Sequence, residues 1–121
     1  MGPQTATDLF REGIELYNRR RFFEAHEVLE ELWRPEQGES RFFLQSLIHF
    51  AVAFHHHEQG NFTGAERQLI KGLRKLAGYL PRYRGVHTAA LYEQGQGSLA
   101  CIRERRAVQE FPRVEVQTIL Q

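Results

Sequence analysis

The sequence has a single cysteine, Cys101, in 121 residues, which excludes an internal disulfide framework and fits a reducing compartment. Its formal net charge is only +1, which removes the global argument for a nucleic-acid binder. Long apolar runs are missing as well. The greasiest stretch, Phe42 to Phe54, is broken by Gln45, Ser46 and His49, whereas a bilayer-spanning helix needs ~20 mostly apolar residues. The opening MGPQTATD has no basic segment followed by an apolar one, so no secretory signal is read there and a cytoplasmic location is the expectation. There is no Gly-rich phosphate loop, no Cys-x-x-Cys pair and no Ser elbow, so three common ways of building an active site are excluded.

What remains is an ordinary globular composition, 41% hydrophobic and 26% charged, in a chain of single-domain size, and one domain over residues 1–121 follows. The charge is unevenly placed. Residues 1–60 carry six Arg against ten Asp and Glu, net −4, and residues 61–121 carry ten Lys and Arg against five Glu, net +5. Such polarity suits docking within the monomer or head-to-tail contact between two copies. Fourteen of the sixteen basic residues are Arg, whose planar fork pairs with carboxylates.

Apolar spacing predicts helices from Thr5 to about Tyr79. Thr5-x-x-Asp8 opens the first, which carries Leu9, Phe10, Ile14, Leu16 and Tyr17 and ends near Arg19. The second runs from Phe22 to Arg34, stopped by Pro35, with Ala25, Val28, Leu29, Leu32 and Trp33 on its stripe. A third, Ser40 to Gln59, is apolar nearly all round, the pattern of a buried central helix. Gly60 closes it, Thr63-Gly-Ala-Glu66 reads as a capping box for the fourth, and Pro81 ends that one. Beyond residue 80 the signal weakens. Thr88 onward reads as a short helix cut by Gly95 and Gly97, Ser98 to Gln109 as another, and Val114 to Gln117 as an extended segment laid across the helices.

A weak repeat runs through the helical part. Arg21-Phe-Phe-Glu-Ala25 and Asn61-Phe-Thr-Gly-Ala65 lie forty residues apart, each at the junction of a helical hairpin, with Leu29 matching Leu69 and Trp33 matching Leu73. The fold class predicted is therefore all-α: two antiparallel, tetratricopeptide-like hairpins over residues 5–80, a C-terminal helix and an extended tail within the less regular residues 81–121.

Chemistry concentrates in Phe22 to Arg34. At ~100° per residue His26 and Glu30 share the flank of the apolar stripe, where a carboxylate can hold an imidazole or both can grip one ion. On the third helix Gln45, His49, Val52 and His56 form a polar thread. If the two helices are neighbours, His26, Glu30, Trp33, Gln45 and His49 form one seam, the predicted place for a ligand.

The strings Phe22-Phe-Glu-Ala-His-Glu-Val-Leu-Glu-Glu-Leu-Trp33, Arg41-Phe-Phe-Leu-Gln-Ser-Leu-Ile-His49, Gly60-Asn-Phe-x-Gly-Ala65 and Lys71-Gly-Leu73 resemble the bacterial and archaeal family called domain of unknown function 309. The resemblance covers residues 8 to 116, and its His-Glu-x-x-Glu-x-x-Trp core is its most specific part. It implies an all-helical fold and no established activity. Members of that family often carry Gln where His49 stands, which argues against a metal role for that position.

Plainer readings stand beside these. His26 with Glu30 is an ion pair at a helix seam, Trp33 and the nine Phe are core, and two of His55, His56 and His57 are solvated cations at a helix end. As a zincin the His-Glu-x-x-Glu motif fails, lacking the second His, so no metal ligand set and no cofactor is assigned. Three function classes follow. The first is a non-catalytic helical module that binds a protein or peptide. The second is a small metal-dependent or hydrolytic enzyme using His26 and Glu30, and the third an anion or RNA binder acting through the Arg-rich C-terminal half. A sealed seam favours a scaffold, and a solvent-connected one favours an enzyme.

Overall fold

A computed structural model describes residues 4–117; the two ends of the expected 1–121 domain, residues 1–3 and 118–121, lie outside the described residues. Five α-helices follow one another: α1 (Ala6–Asn18), α2 (Phe22–Trp33), α3 (Arg41–Glu58), α4 (Phe62–Leu76) and, after a 3-10 turn at Ala77–Tyr79, α5 (Thr88–Arg103). Among the described residues there is no strand, only two isolated bridges, Tyr83 to Val86 and Val86 to Val116.

The α1–α2 and α3–α4 connections are three residues each, too short for anything but an antiparallel return. Both close in the same way. At the end of α1 the Arg21 N–H donates to Leu16 O and the Arg20 N–H to Tyr17 O; forty residues on, Asn61 N–H donates to His56 O and Gly60 N–H to His57 O. This is the Schellman closure, whose turning residue must enter the left-handed region. Gly60 does so at φ 75° without strain, while Arg20 does so at φ 64° with a Cβ to accommodate. Helix α5 ends in the same way, with Arg106 N–H donating to Cys101 O and Arg105 at φ 58°, so this closure is a general helix ending rather than a mark of the repeat. The repeat shows instead inside the core, where Phe22, Ala25, Leu29, Ala65 and Leu69 are buried at matching places.

Helix α3 packs on both α2 and α4, and α4 also carries α5. The centre is aromatic: Phe22, Phe43, Phe50 and Phe54 are fully buried, with Tyr17 edge-on to Phe22 at 5.3 Å and Phe54 edge-on to Phe111 at 5.0 Å.

The expectation for the C-terminal part needs correction. Helix α5 is continuous through Gly95 and Gly97 and ends at Arg103, so the second helix expected to reach Gln109 does not form. Gly95 is there because α5 comes so close to the core: a Cβ would stand 2.9 Å from Leu73 Cδ2 and 3.0 Å from the Phe50 ring. Glycine here marks contact rather than a break. The fourth helix also starts earlier than predicted, with Asn61 as its cap accepting from Gly64 N–H at 2.9 Å, which leaves Thr63 inside the helix. The extended tail does lie across the helices. Val114 exchanges two hydrogen bonds of 2.9 Å with the Asn18 side chain, and Gln117 N–H donates to Gly85 O.

Candidate functional site

Helix α2 supplies His26, Glu30 and Trp33, α3 supplies Gln45 and His49, and all five line one cavity of about 250 Å³ that Ile48, Val52 and Gln68 complete. The cavity exists because α2 and α4 both pack on α3 but not closely on each other. Helix α3 therefore forms the floor of a groove with α2 and α4 as its walls. The side chains of His26 and Glu30 retain 23% and 28% of their exposure, so the groove opens to solvent. The five residues of the expected seam thus line one groove.

Local structure explains how the site is held. The last turn of α2 has no basic residue of its own, and the Arg34 and Glu36 N–H groups cap only some of its carbonyls. Arg41, at the start of α3, adds to these: its Nη1 donates to Trp33 O at 3.1 Å and Glu36 O at 2.8 Å, and its guanidinium lies 4.3 Å from the centre of the Trp33 ring. That stacking fixes Trp33 in the groove wall.

Glu30 and His49 are each engaged on both of their polar atoms, and His26 on one. Glu30 is held on both oxygens, Oε1 at 2.6 Å from His26 Nε2 and Oε2 at 2.8 Å from Arg34 Nη2. The other nitrogen of His26, Nδ1, is buried and has no hydrogen-bond partner among the described residues. His49 is held on both nitrogens from α4. Its Nδ1–H donates to Gln68 Oε1 at 2.8 Å, and Lys75 Nζ donates to its Nε2 at 3.1 Å. Burial, and then the charges of Lys75 and Lys71, push the His49 proton affinity below the usual histidine range, with the Gln68 bond opposing. Lys75 is lowered too, by burial and by Lys71.

Among the described residues no group of three or more His, Cys, Asp and Glu is placed to hold a metal ion. A general base in a His–carboxylate pair must present its far nitrogen to the substrate. The far nitrogen of His26 is covered by protein.

Several expected candidates lie elsewhere. His56 points to Asn61, with Nδ1 at 3.3 Å from Asn61 Nδ2, and His55 stacks on Phe23 at 5.4 Å. His57 is not a solvated helix-end cation: it packs against Phe62 and Phe111, accepts the Val108 N–H at Nε2, and burial lowers its proton affinity. Cys101 is half-buried on α5. Three of the C-terminal arginines are tied up in ion pairs, Arg103 and Arg105 on Glu66 and Arg106 on Glu104. Not all nine Phe are core either, since Phe23 and Phe42 stand 51% and 58% exposed, both on the groove side. No helix among the described residues is long and apolar enough to cross a membrane.

Sequence reasoning missed the contribution of α4. Gln68, Lys71 and Lys75 recur at helical spacing beside the apolar stripe. That polar line was legible, but without a neighbour to face it reads as solvated surface.

Comparison with known proteins gives the chain a family. The family model described as Domain of unknown function (DUF309) matches residues 10–73, more than half of the chain, and that stretch holds every residue lining the cavity. The Bacillus subtilis (strain 168) protein printed as "Uncharacterized protein YpuF" is 37% identical over 65 residues, 52% of this chain and 37% of that protein. A protein of Aquifex aeolicus (strain VF5), printed as "Uncharacterized protein", is 27% identical over 88 residues, 72% of this chain and 26% of that one. The chain spans about a third to a quarter of the length of these relatives. With the family match running from α1 into α4 across the whole groove, the chain belongs to the family of domain of unknown function 309.

Proposed function

We propose that this domain is a non-catalytic module that docks another polypeptide on the face formed by α2, α3 and α4. One observation carries the reading: His26, Glu30, Trp33, Gln45 and His49 converge on a solvent-connected groove, yet the fold already holds both oxygens of Glu30 and both nitrogens of His49. Groups that are fixed in this way serve as a rigid polar floor for recognition, whereas catalysis needs one free to exchange protons or attack. The open groove would suit an enzyme equally well on shape alone, and the engaged state of its side chains is what favours docking.

Selecting a displayed random-peptide library on the wild type, with counter-selection on Gln45→Trp, tests the reading. Peptides that bind the wild type and fail on the filled groove are expected. Hydrolysis of ester, phosphoester or peptide substrates that His26→Ala abolishes would contradict it and return the enzyme reading.

A further inference from the structure

The crests of the two groove walls carry opposite charge. On α2, Glu27 and Glu31 are exposed; on α4, Arg67 and Lys71 are exposed; and among the described residues none of the four is in an ion pair or a side-chain hydrogen bond. The repeat makes this pairing regular. Helices α2 and α4 start forty residues apart, at Phe22 and Phe62, each after a three-residue connection, so Glu27 corresponds to Arg67 and Glu31 to Lys71. Helices α2 and α4 both run antiparallel to α3 and hence parallel to each other, with these residues at nearly the same level. Lys71 also sits close enough to weaken proton binding at His49 and Lys75, as expected of a cation left without a counter-charge.

We propose that this face is a dimer interface: a two-fold axis along α3 sets α2 of each copy against α4 of the other, pairing Glu27 with Arg67 and Glu31 with Lys71. The inference rests on the docking role of the groove and names its occupant as a second copy of the chain. A two-fold contact must be self-complementary, each patch meeting its counterpart twice. An acidic crest and a basic crest, parallel and in register on either side of one axis, meet that condition. Exposed Phe23, 5.7 Å from the His26 ring, and exposed Phe42, which lines a cavity with Lys75, flank the groove and supply apolar area to bury, while the charges set orientation and exclude other registers. A polyanion such as RNA would meet the acidic α2 crest as well as the basic one, which disfavours it.

Light scattering after size exclusion, across protein concentration and salt, tests the proposal with two variants whose helicity is checked by circular dichroism. The wild type is expected to dimerise and to dissociate more readily at high salt. Glu27→Lys with Glu31→Lys makes both crests basic, and Arg67→Glu with Lys71→Glu makes both acidic, so each variant alone is expected to weaken self-association by about tenfold or more. Mixed, the two variants are complementary and should recover a heterodimer. A wild type that stays monomeric to millimolar concentration overturns the proposal, as does a dimer insensitive to both variants or a mixture that fails to associate. A monomer whose groove still captures displayed peptides would overturn the dimer alone, whereas the loss of both would also remove the docking role.

Discussion

Lys75 Nζ lies 3.1 Å from Nε2 of His49, whose Nδ1 lies 2.8 Å from Gln68 Oε1. A ring that accepts at one nitrogen and donates at the other is neutral, in the Nδ1–H tautomer. Burial disfavours protonating it, and the Lys75 ammonium opposes a second charge beside it, so the ring stays neutral on the groove floor.

Removing that ammonium should therefore raise the proton affinity of His49. In Lys75→Met, a proton-detected titration of the His49 ring should show its midpoint moving up toward the ordinary 6.5. A midpoint that stays put or falls would mean that burial alone governs the ring.

The pH dependence of stability follows from the same depression. His49 and His57 both bind protons less readily in the fold than at the ordinary 6.5, so the unfolded chain takes up protons that the native rings refuse. Their contribution is present above 6.5 and is lost as pH falls below it. Urea midpoints should decline between about pH 7.5 and about pH 5, and His57→Gln should flatten part of that decline. A midpoint that rises over this range would contradict the assignment.

The two glycines of α5 should respond in opposite ways. Gly97→Ala meets open space and should stabilise by up to ~1 kcal/mol through helix propensity. Gly95→Ala drives a methyl into Leu73 and Phe50 and should cost ~1–3 kcal/mol despite the same propensity gain. Thermal denaturation of the two variants decides it; equal effects would show α5 to be loosely docked.

The carboxylate of Glu30 has two side-chain partners, His26 and Arg34, and losing one leaves the other. His26→Ala should thus cost under ~1 kcal/mol, with Arg34 still at 2.8 Å. His26→Ala with Arg34→Ala should cost more than the sum of the single variants, because a carboxylate only 28% exposed then has no partner. Strict additivity in urea denaturation would mean that water replaces both.

Periodicity made the four N-terminal helices and the seam legible, because His26, Glu30 and Trp33 had to share a flank of α2 whatever the tertiary packing. The spacing of Gln45 and His49 did the same on α3. Two kinds of information were out of reach. Gly95 and Gly97 look alike in sequence, and only the proximity of Phe50 shows that the first is a packing contact in an unbroken helix. Phe42 and Phe43 are equally apolar, but the 3.6-residue turn sends Phe43 into the core and leaves Phe42 on the groove side. The pattern predicts a buried helix all round because it holds no record of the gap between α2 and α4.

Trp33 is the sole tryptophan and forms part of the groove wall, so its fluorescence reports on the docking face without any label. Acrylamide quenching of Trp33, followed as a bound polypeptide or a second copy of the chain is titrated in, should fall in step with complex formation as the groove is covered. Binding that saturates while the quenching of Trp33 stays unchanged would place the partner on another surface and contradict the docking role of α2, α3 and α4.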